Sequence, residues 1–314
     1  MNQRKVYEWV ERFKVNRTTV TDESRSGRPS TSRTEEHIQE VKNLIKEERR
    51  ITLAEVAAIA DMSYGSAHAI VHEDLGYHKV CARWVPKQLT SEHKQRRVDV
   101  ATEFLQRYEE DPSMLERIVT GDETWVHHYE PESKRQSMQW RHPSSPVPKK
   151  FKQQTSCKKL MLTLFWDAKG PVVTVYQAHG QTVNSATYCA LLQDQLKPAI
   201  RNKRRGLLST GVPLLHDNAR PHTAAPTVET IQRLGFEHLP HPPYSPDLAP
   251  SDYHIFGPLK DALRGRKFSS DDEVQEAVQT WLRGQPKKFF SEGIQKLVHR
   301  YQKYVALQGG YVEK

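Results

Sequence analysis

Apolar residues in the first third of the chain recur at intervals of three and four, the spacing of one helix face. Val6, Trp9, Val10 and Phe13 form the first stripe, ringed by Arg4, Lys5, Arg12 and Lys14. Residues 21–33 lose the period and are rich in turn formers, which predicts a linker. Ile38, Val41, Leu44 and Ile45 then mark a helix over residues 34–48, and Leu53, Val56, Ala57 and Ile59 a second from Thr52. The turn Asp61-Met62-Ser63-Tyr64-Gly65 leads to a third over residues 66–74. Three short helices with a tight turn before the last predict a helix-turn-helix over residues 34–76. A long polar helix follows over residues 91–110, carrying Val98, Ala101, Phe104 and Leu105.

From Ile118 the pattern becomes strand-like. Ile118-Val119-Thr120, residues 137–140 and residues 159–166 have strand character, and Asp167-Ala168-Lys169-Gly170 predicts a hairpin turn into residues 171–177. Residues 184–203 read as a helix with Tyr188, Leu191, Leu192 and Leu196 on one side. The run Val212 to Leu215 reads as a buried strand that delivers Asp217 at or just past its end. A helix, a strand and a further helix carrying Asp252 come next, and residues 270–282 and 289–305 close the chain as amphipathic helices. This order predicts an α/β domain, a mixed sheet covered by helices.

Three acids stand where such a sheet would expose them. Phe256, Leu259 and Leu263 lie four, seven and eleven positions after Asp252 and share its helical face. Asp122 and Asp217 sit close behind strand cores, and 34 residues separate Asp217 from Asp252. Carboxylates from two strand ends and a helix could gather a pair of divalent ions, whose spacing of roughly 3.5–4 Å suits in-line displacement at a phosphodiester. Magnesium fits that role because it takes few carboxylates and keeps positions open. Each acid also has an ordinary reading. Asp252 suits a helix cap, Asp217-Asn218 suits a turn, and Glu123 beside Asp122 leaves the third acid open by one position.

The wording of three motifs decides among these readings. TGDETWVHHYEPESK, HDNARPHTA and YSPDLAPSDYHIF, in that order and with that 34-residue gap, closely resemble the mariner family of DNA transposases. The likeness runs from about Asn2 to the C-terminus. It implies an RNase H-like catalytic domain in which Asp122, Asp217 and Asp252 ligate two Mg2+ ions, with Mn2+ able to substitute. It further implies binding of terminal inverted repeats in double-stranded DNA, metal-dependent cleavage at the element's ends, and joining of the 3′-hydroxyls to target DNA at TA dinucleotides. Trp84-Val85-Pro86-Lys87-Gln88-Leu89 resembles the family's linker motif, with Lys87-Gln88 where His-Glu is usual. That segment, with Trp84, Val85 and Pro86 at its head, implies coupling of two subunits in a homodimer. Gly27-Arg28-Pro29 resembles an element that lays an arginine, here Arg28, into a minor groove. The family usually begins with a complete helix-turn-helix, of which only the last helix is recognisable around residues 5–13. The domain reading is therefore 1–20 as a remnant of that module, 21–33 linker, 34–76 second helix-turn-helix, 77–112 coupling linker and 113–314 catalysis.

Charge and composition extend this picture. In a helix-turn-helix the early residues of the last helix touch base edges, which selects Ser63, Tyr64, Ser66 and His68. The net charge of +9 and pI near 9.3 favour a polyanionic partner. Residues 133–159 hold eight Lys or Arg and no acid, among them Lys134, Arg135, Lys149, Lys150 and Lys152, and residues 197–205 add five more. Such runs suit a phosphate backbone, although they are also what a solvated face looks like. Three scattered cysteines argue against a disulfide framework and for a reducing interior. No Cys or His spacing supports zinc, so the histidines read as satisfied or exposed. No stretch approaches the roughly 18 apolar residues of a membrane span. Nuclear residence follows if the host is a eukaryote. The rival from another class is a DNA-binding protein derived from a transposase, silent in catalysis or deficient in end recognition; a non-specific metal nuclease is the third reading.

Overall fold

The protein is described by a computed structural model over residues 2–15, 33–82, 84–177 and 180–312. The chain divides into two compact units, Met1–Trp84 and Val85–Lys314. Arg28, with its Gly-Arg-Pro element, lies outside the described residues.

The first unit is all-helical. Gln3–Lys14 forms a helix whose Val6, Tyr7, Val10 and Phe13 remain exposed. Glu35–Glu47, Leu53–Ile59 and Tyr64–Ala69, the last continuing as a π-helical turn Ile70–Asp74, enclose a small core of Val41, Val56, Ala57, Ala60, Ala67, Ile70 and Val71. Each helix start is fixed by a side chain. Thr34 accepts from His37 N, Thr52 and Glu55 form a reciprocal capping box, and Ser63 accepts from Ser66 N. Arg33 closes the bundle by bridging Glu73 at 2.8 Å and Asp74 at 2.6 Å.

The second unit is built on a five-stranded sheet in the order β3-β2-β1-β4-β5. Its strands are β1 Val119–His127, β2 Lys159–Asp167, β3 Gly170–Tyr176, β4 Val212–Leu215 and β5 Phe236–Leu239. β1, β2 and β3 form an antiparallel meander, and β4 and β5 join parallel to β1. This is the mixed, helix-covered sheet of an RNase H-like domain. One face packs on Ser91–Glu110, Gly257–Leu263, Asp271–Gly284 and Lys287–Ala306 through Leu162, Leu164, Trp166, Leu215 and Phe256. The other packs on Ser185–Ala190, its π-helical continuation Leu191–Leu196, Lys197–Lys203 and Ala225–Leu234 through Val119, Phe165, Leu214 and Ile231.

Three features differ from the sequence reading. Residues 137–140 are not a strand; Ser133 and Gln136 tie the backbone ahead of them into a turn, and Met138 and Trp140 stand exposed. Ser91–Glu110, grouped above with the linker, belongs to the core of the second unit. Its Ala101 and Phe104 are buried, and the Phe104 ring stacks on Tyr301 at 4.2 Å. β1 also runs well past the Ile118-Val119-Thr120 core, so Asp122 lies inside a strand rather than at its end.

Candidate active site

β1 explains why Asp122, and not Glu123, faces the other acids. Neighbouring residues of a strand point to opposite faces. Ile118 and Val126 belong to the core beneath the C-terminal helices, and Asp122 shares their parity. Val119 belongs to the opposite core, as does Phe165 of β2, and Glu123 shares that side. Asp122 is paired with Leu164 of β2, but on its other edge β1 is paired to β4 only at Val119 and Thr120. Beyond Thr120 that edge is open, because β4 ends at Leu215 and the chain turns away through Asp217.

Asp217 is engaged on both sides of its turn. Its Oδ1 accepts from Ala219 N at 3.0 Å and lies 2.6 Å from His222 Nδ1. The turn chemistry foreseen for Asp217 is thus present. The His222 Nε2 lies 3.5 Å from Glu123 Oε2, so one buried imidazole links the two carboxylates. The sequence reading set the histidines aside, and His222 is the one that bears on the site. Its five-residue distance from Asp217, across Arg220-Pro221, was the available signal.

Asp252 is not a helix cap. It is the second residue of a π-helical turn, Ser251–Phe256, whose N-cap Pro250 makes no side-chain cap bond. Three anchors hold this turn. Trp166 Nε1 donates to Ser251 Oγ at 3.0 Å, Tyr253 OH to Gly293 O at 2.7 Å, and His254 Nε2 bonds Phe289 O at 2.6 Å. Phe256, Leu259 and Leu263 are buried as their spacing predicts, while Asp252 keeps solvent access.

The three aspartates share one electrostatic environment. Burial, then Asp252, Asp217 and Glu123, push the Asp122 carboxyl well above the ordinary range, and its buried Oδ2 has no hydrogen-bond partner. Asp252 is pushed up to about 6, first by the protein around it, next by Asp217, with Lys260 opposing. Burial acts most strongly and would raise Asp217, but the bond and charge of His222 together with the Ala219 N–H outweigh it, and the carboxyl ends below its usual value. Burial works against charge on His222, yet its bonds to Asp217 and Glu123 raise it to about 10. His216, whose Nδ1 lies 2.9 Å from Tyr188 OH, is lowered to about 3 by burial and then by His222.

This donor set fits a hard divalent cation. It offers carboxylate oxygens only, in a place where their mutual repulsion calls for positive charge. The cage is not closed, however. Among the described residues no three His, Cys, Asp or Glu side chains already stand close enough to hold a metal ion. Asp217 Oδ1 is engaged by His222 and Ala219 N in this arrangement.

A pH dependence follows. A carboxyl at about 6 when folded and near 4 when unfolded binds more protons in the folded state between those values, so the contribution of Asp252 to metal-free stability falls as pH rises through that window, against the rise contributed there by His216 and His241, lowered to about 3 and about 4 by burial. In chelator, Asp252→Asn should therefore gain melting temperature relative to the parent between pH 4.5 and 7, and Mg2+ should reduce that difference at pH 7. Equal slopes in parent and variant would remove the proposed repulsion.

The surface candidates separate into free and occupied groups. Tyr64 and His68 are exposed, whereas the Ser63 and Ser66 hydroxyls bond each other at 2.9 Å and serve the cap. The His68 ring lies 4.4 Å from that of His72. Lys134, Arg135, Lys149 and Lys152 are exposed, but Lys150 pairs with Glu132 at 2.5 Å. Lys159 lies over the Trp125 ring at 4.0 Å. In the second basic run Arg204 binds the buried Asp167 and Lys203 donates to Val172 O, so two of its five cations hold the β2–β3 hairpin. Trp84, Val85 and Pro86 are exposed.

A sheet of this topology, with three carboxylates sharing one electrostatic environment beside the junction of its parallel and antiparallel parts, defines a nucleic-acid-processing enzyme of the RNase H-like class. Residues 130–210 match the transposase family described as a partial DDE domain. Across 99% of its length the chain is 34% identical to the Mariner Mos1 transposase of Drosophila mauritiana, covering 88% of that protein. It is 35% identical over 99% of its length to the human histone-lysine N-methyltransferase SETMAR, and spans 44% of that relative. The Mos1 mariner paired-end complex with Mn matches all of this chain and 89% of its own, with a TM-score of 0.78 at 32% identity. The chain belongs to the mariner family of DNA transposases.

Proposed function

We propose that the protein binds the terminal inverted repeats of its element, cuts the DNA there by metal-dependent hydrolysis, and joins the freed 3′-hydroxyls to target DNA at TA dinucleotides. It does so as a homodimer, in the nucleus of a eukaryotic host. The observation that carries this reading is the shared electrostatic environment of Asp122, Asp217 and Asp252 beside the open edge of β1. Those three residues would hold two Mg2+ ions, or Mn2+ in their place. When bound, such ions supply Lewis-acid charge to the phosphodiester and lower the pKa of water. The chain's own part is positional. His222 holds Asp217, the Trp166–Ser251 bond holds the turn of Asp252, and the free cations Lys134, Arg135, Lys149 and Lys152 bind backbone phosphates. Residues 34–76 read base edges through Tyr64 and His68, Arg28 supports them from a minor groove, and Trp84, Val85 and Pro86 serve the coupling of subunits.

The test is a plasmid carrying a marked element between matching terminal repeats, incubated with protein and Mg2+. The expected result is release of the element and its insertion at TA, with none from Asp217→Ala. Cleavage of unrelated DNA at equal rate, falling steeply with salt, would identify a non-specific nuclease instead. DNA binding with no cleavage in either metal would identify a silent derivative.

A further inference from the structure

One charged side chain of the second unit has no role in the site just described. Arg97, from the helix Ser91–Glu110, is fully buried. Its guanidinium lies between the rings of Tyr304 and Tyr311, 4.4 Å from each centroid. Nη2 donates to Asp247 Oδ2 and to Gly310 O, and Nη1 to Tyr244 O, each at 3.3 Å. One arginine therefore touches four separate stretches of chain: its own helix, the helix Lys287–Ala306, the segment 307–312 and the loop ahead of Asp252.

Asp247 is the point on which these contacts converge. Its Oδ2 also accepts from Val312 N at 2.9 Å, and its carbonyl accepts from Arg300 Nη1 at 2.9 Å. Arg300 in turn lies over the Tyr253 ring at 4.2 Å. From Asp247 to Asp252 the backbone has little slack. Leu248 N bonds Ser245 O at 2.9 Å, Ala249 N bonds Pro246 O at 3.2 Å, and Asp252 N and Tyr253 N both bond Ala249 O at 3.1 Å. A shift at Asp247 must reach Asp252 within one tight turn.

The pair is not arranged for greatest stability. Arg97 Nε and Asp247 Oδ1 are buried without hydrogen-bond partners. A buried ion pair with unsatisfied atoms is often no more stabilising than an apolar replacement. What it does supply is direction, since a planar guanidinium fixed between two rings presents its donors at set angles.

We propose that Arg97 is a positioning residue for the third carboxylate, setting the place of Asp252 through Asp247 and the turn that joins them. The proposal rests on the reading of Asp252 as a metal ligand. Outer residues that orient ligands typically change metal affinity by about 10–100-fold when removed.

The experiment uses the full chain and the variants Arg97→Met, Arg97→Lys, Arg97→Met with Asp247→Asn, and Asp252→Asn. Mn2+ affinity is read without DNA from the resonance signal of free Mn2+, beside the melting temperature and the Mn2+ midpoint for plasmid nicking. Arg97→Met should weaken Mn2+ affinity and raise the nicking midpoint by about tenfold, with Arg97→Lys in between. The double variant, free of a stranded buried charge, should regain melting temperature but not Mn2+ affinity. Unchanged affinity in Arg97→Met would overturn the proposal. So would a double variant that regains affinity together with stability, because Arg97 would then only neutralise Asp247. Asp252→Asn separates the two readings: if it leaves Mn2+ affinity intact, the metal-ligand reading itself fails. If Asp252→Asn loses affinity while Arg97→Met does not, the positioning role alone fails.

Discussion

Asp217→Ala and Asp252→Ala should each lower DNA cleavage by on the order of a thousandfold or more. Metal-borne charge stabilisation is worth several kcal/mol, and about 1.36 kcal/mol corresponds to each tenfold in rate. DNA affinity should stay within about twofold, because binding is dominated by phosphate contacts made elsewhere on the surface. The free cations Lys134, Arg135, Lys149 and Lys152 are exposed and none of them forms part of the carboxylate cluster. Cleavage of a nicked or supercoiled substrate, beside gel-shift affinity in chelator, measures the two quantities separately. Parallel loss of both would show that these aspartates hold the fold rather than the metal. Melting curves guard the comparison: Asp252→Ala should be no less stable than the parent, because it relieves repulsion that the metal-free protein carries, whereas Asp217→Ala loses the bonds to His222 and Ala219 N and should melt lower.

Gly121→Ala should be nearly as damaging, for a different reason. Gly121 faces Phe165 across the β1–β2 ladder, and a Cβ at that position would fall within the aromatic ring. The ring is itself fully buried, with Tyr188 at 6.3 Å, and has little room to yield. Overpacking of this kind costs about 1–3 kcal/mol. For a unit of this size that lowers the melting temperature by roughly 2–12 °C. Because Asp122 is the next residue, cleavage should fall further than stability does. Gly284→Ala is the control, for nothing lies within 4 Å of the added atom and it closes a helix. A Gly121→Ala protein that melts and cuts like the parent would mean that β1 and β2 separate more readily than their pairing suggests.

What the sequence made legible follows physical range. Helix starts were readable where capping is local: Thr34, Thr52, Asn184 and Ser270 each accept from a backbone N–H three residues on, whereas the helix capped by Ser63 begins at Tyr64, ahead of the expected start at residue 66. The buried stripe of Phe256, Leu259 and Leu263 was readable because periodicity is local too. Periodicity alone did not choose between Asp122 and Glu123, which only the motif resemblance assigned to Asp122, since the choice depends on which core lies on which side of β1. Nor was the role of His222 readable, because it joins residues 94 positions apart across β1 and β4. The misplacement of the helix Ser91–Glu110 has the same origin. Its surface is largely polar, and a short set of residues, the buried Ala101, Phe104 and Arg97 with Leu105 and Tyr108 beside them, ties it to the catalytic core. A buried arginine has no signature in a sequence, because its partners Tyr244, Asp247 and Gly310 lie between 147 and 213 residues away.

The brevity of the β1–β4 ladder bears on how this domain comes undone. Two residue pairs join the parallel half of the sheet to the antiparallel half, against eight pairs between β1 and β2. A seam that short is where sub-global opening should begin. In hydrogen exchange, the amides of Leu214 and Leu215 should lose protection before those of the β1–β2–β3 meander. Each such opening parts Asp217 from Asp122 while the meander persists. Catalytic competence should therefore vanish at denaturant concentrations where most of the secondary structure is still present.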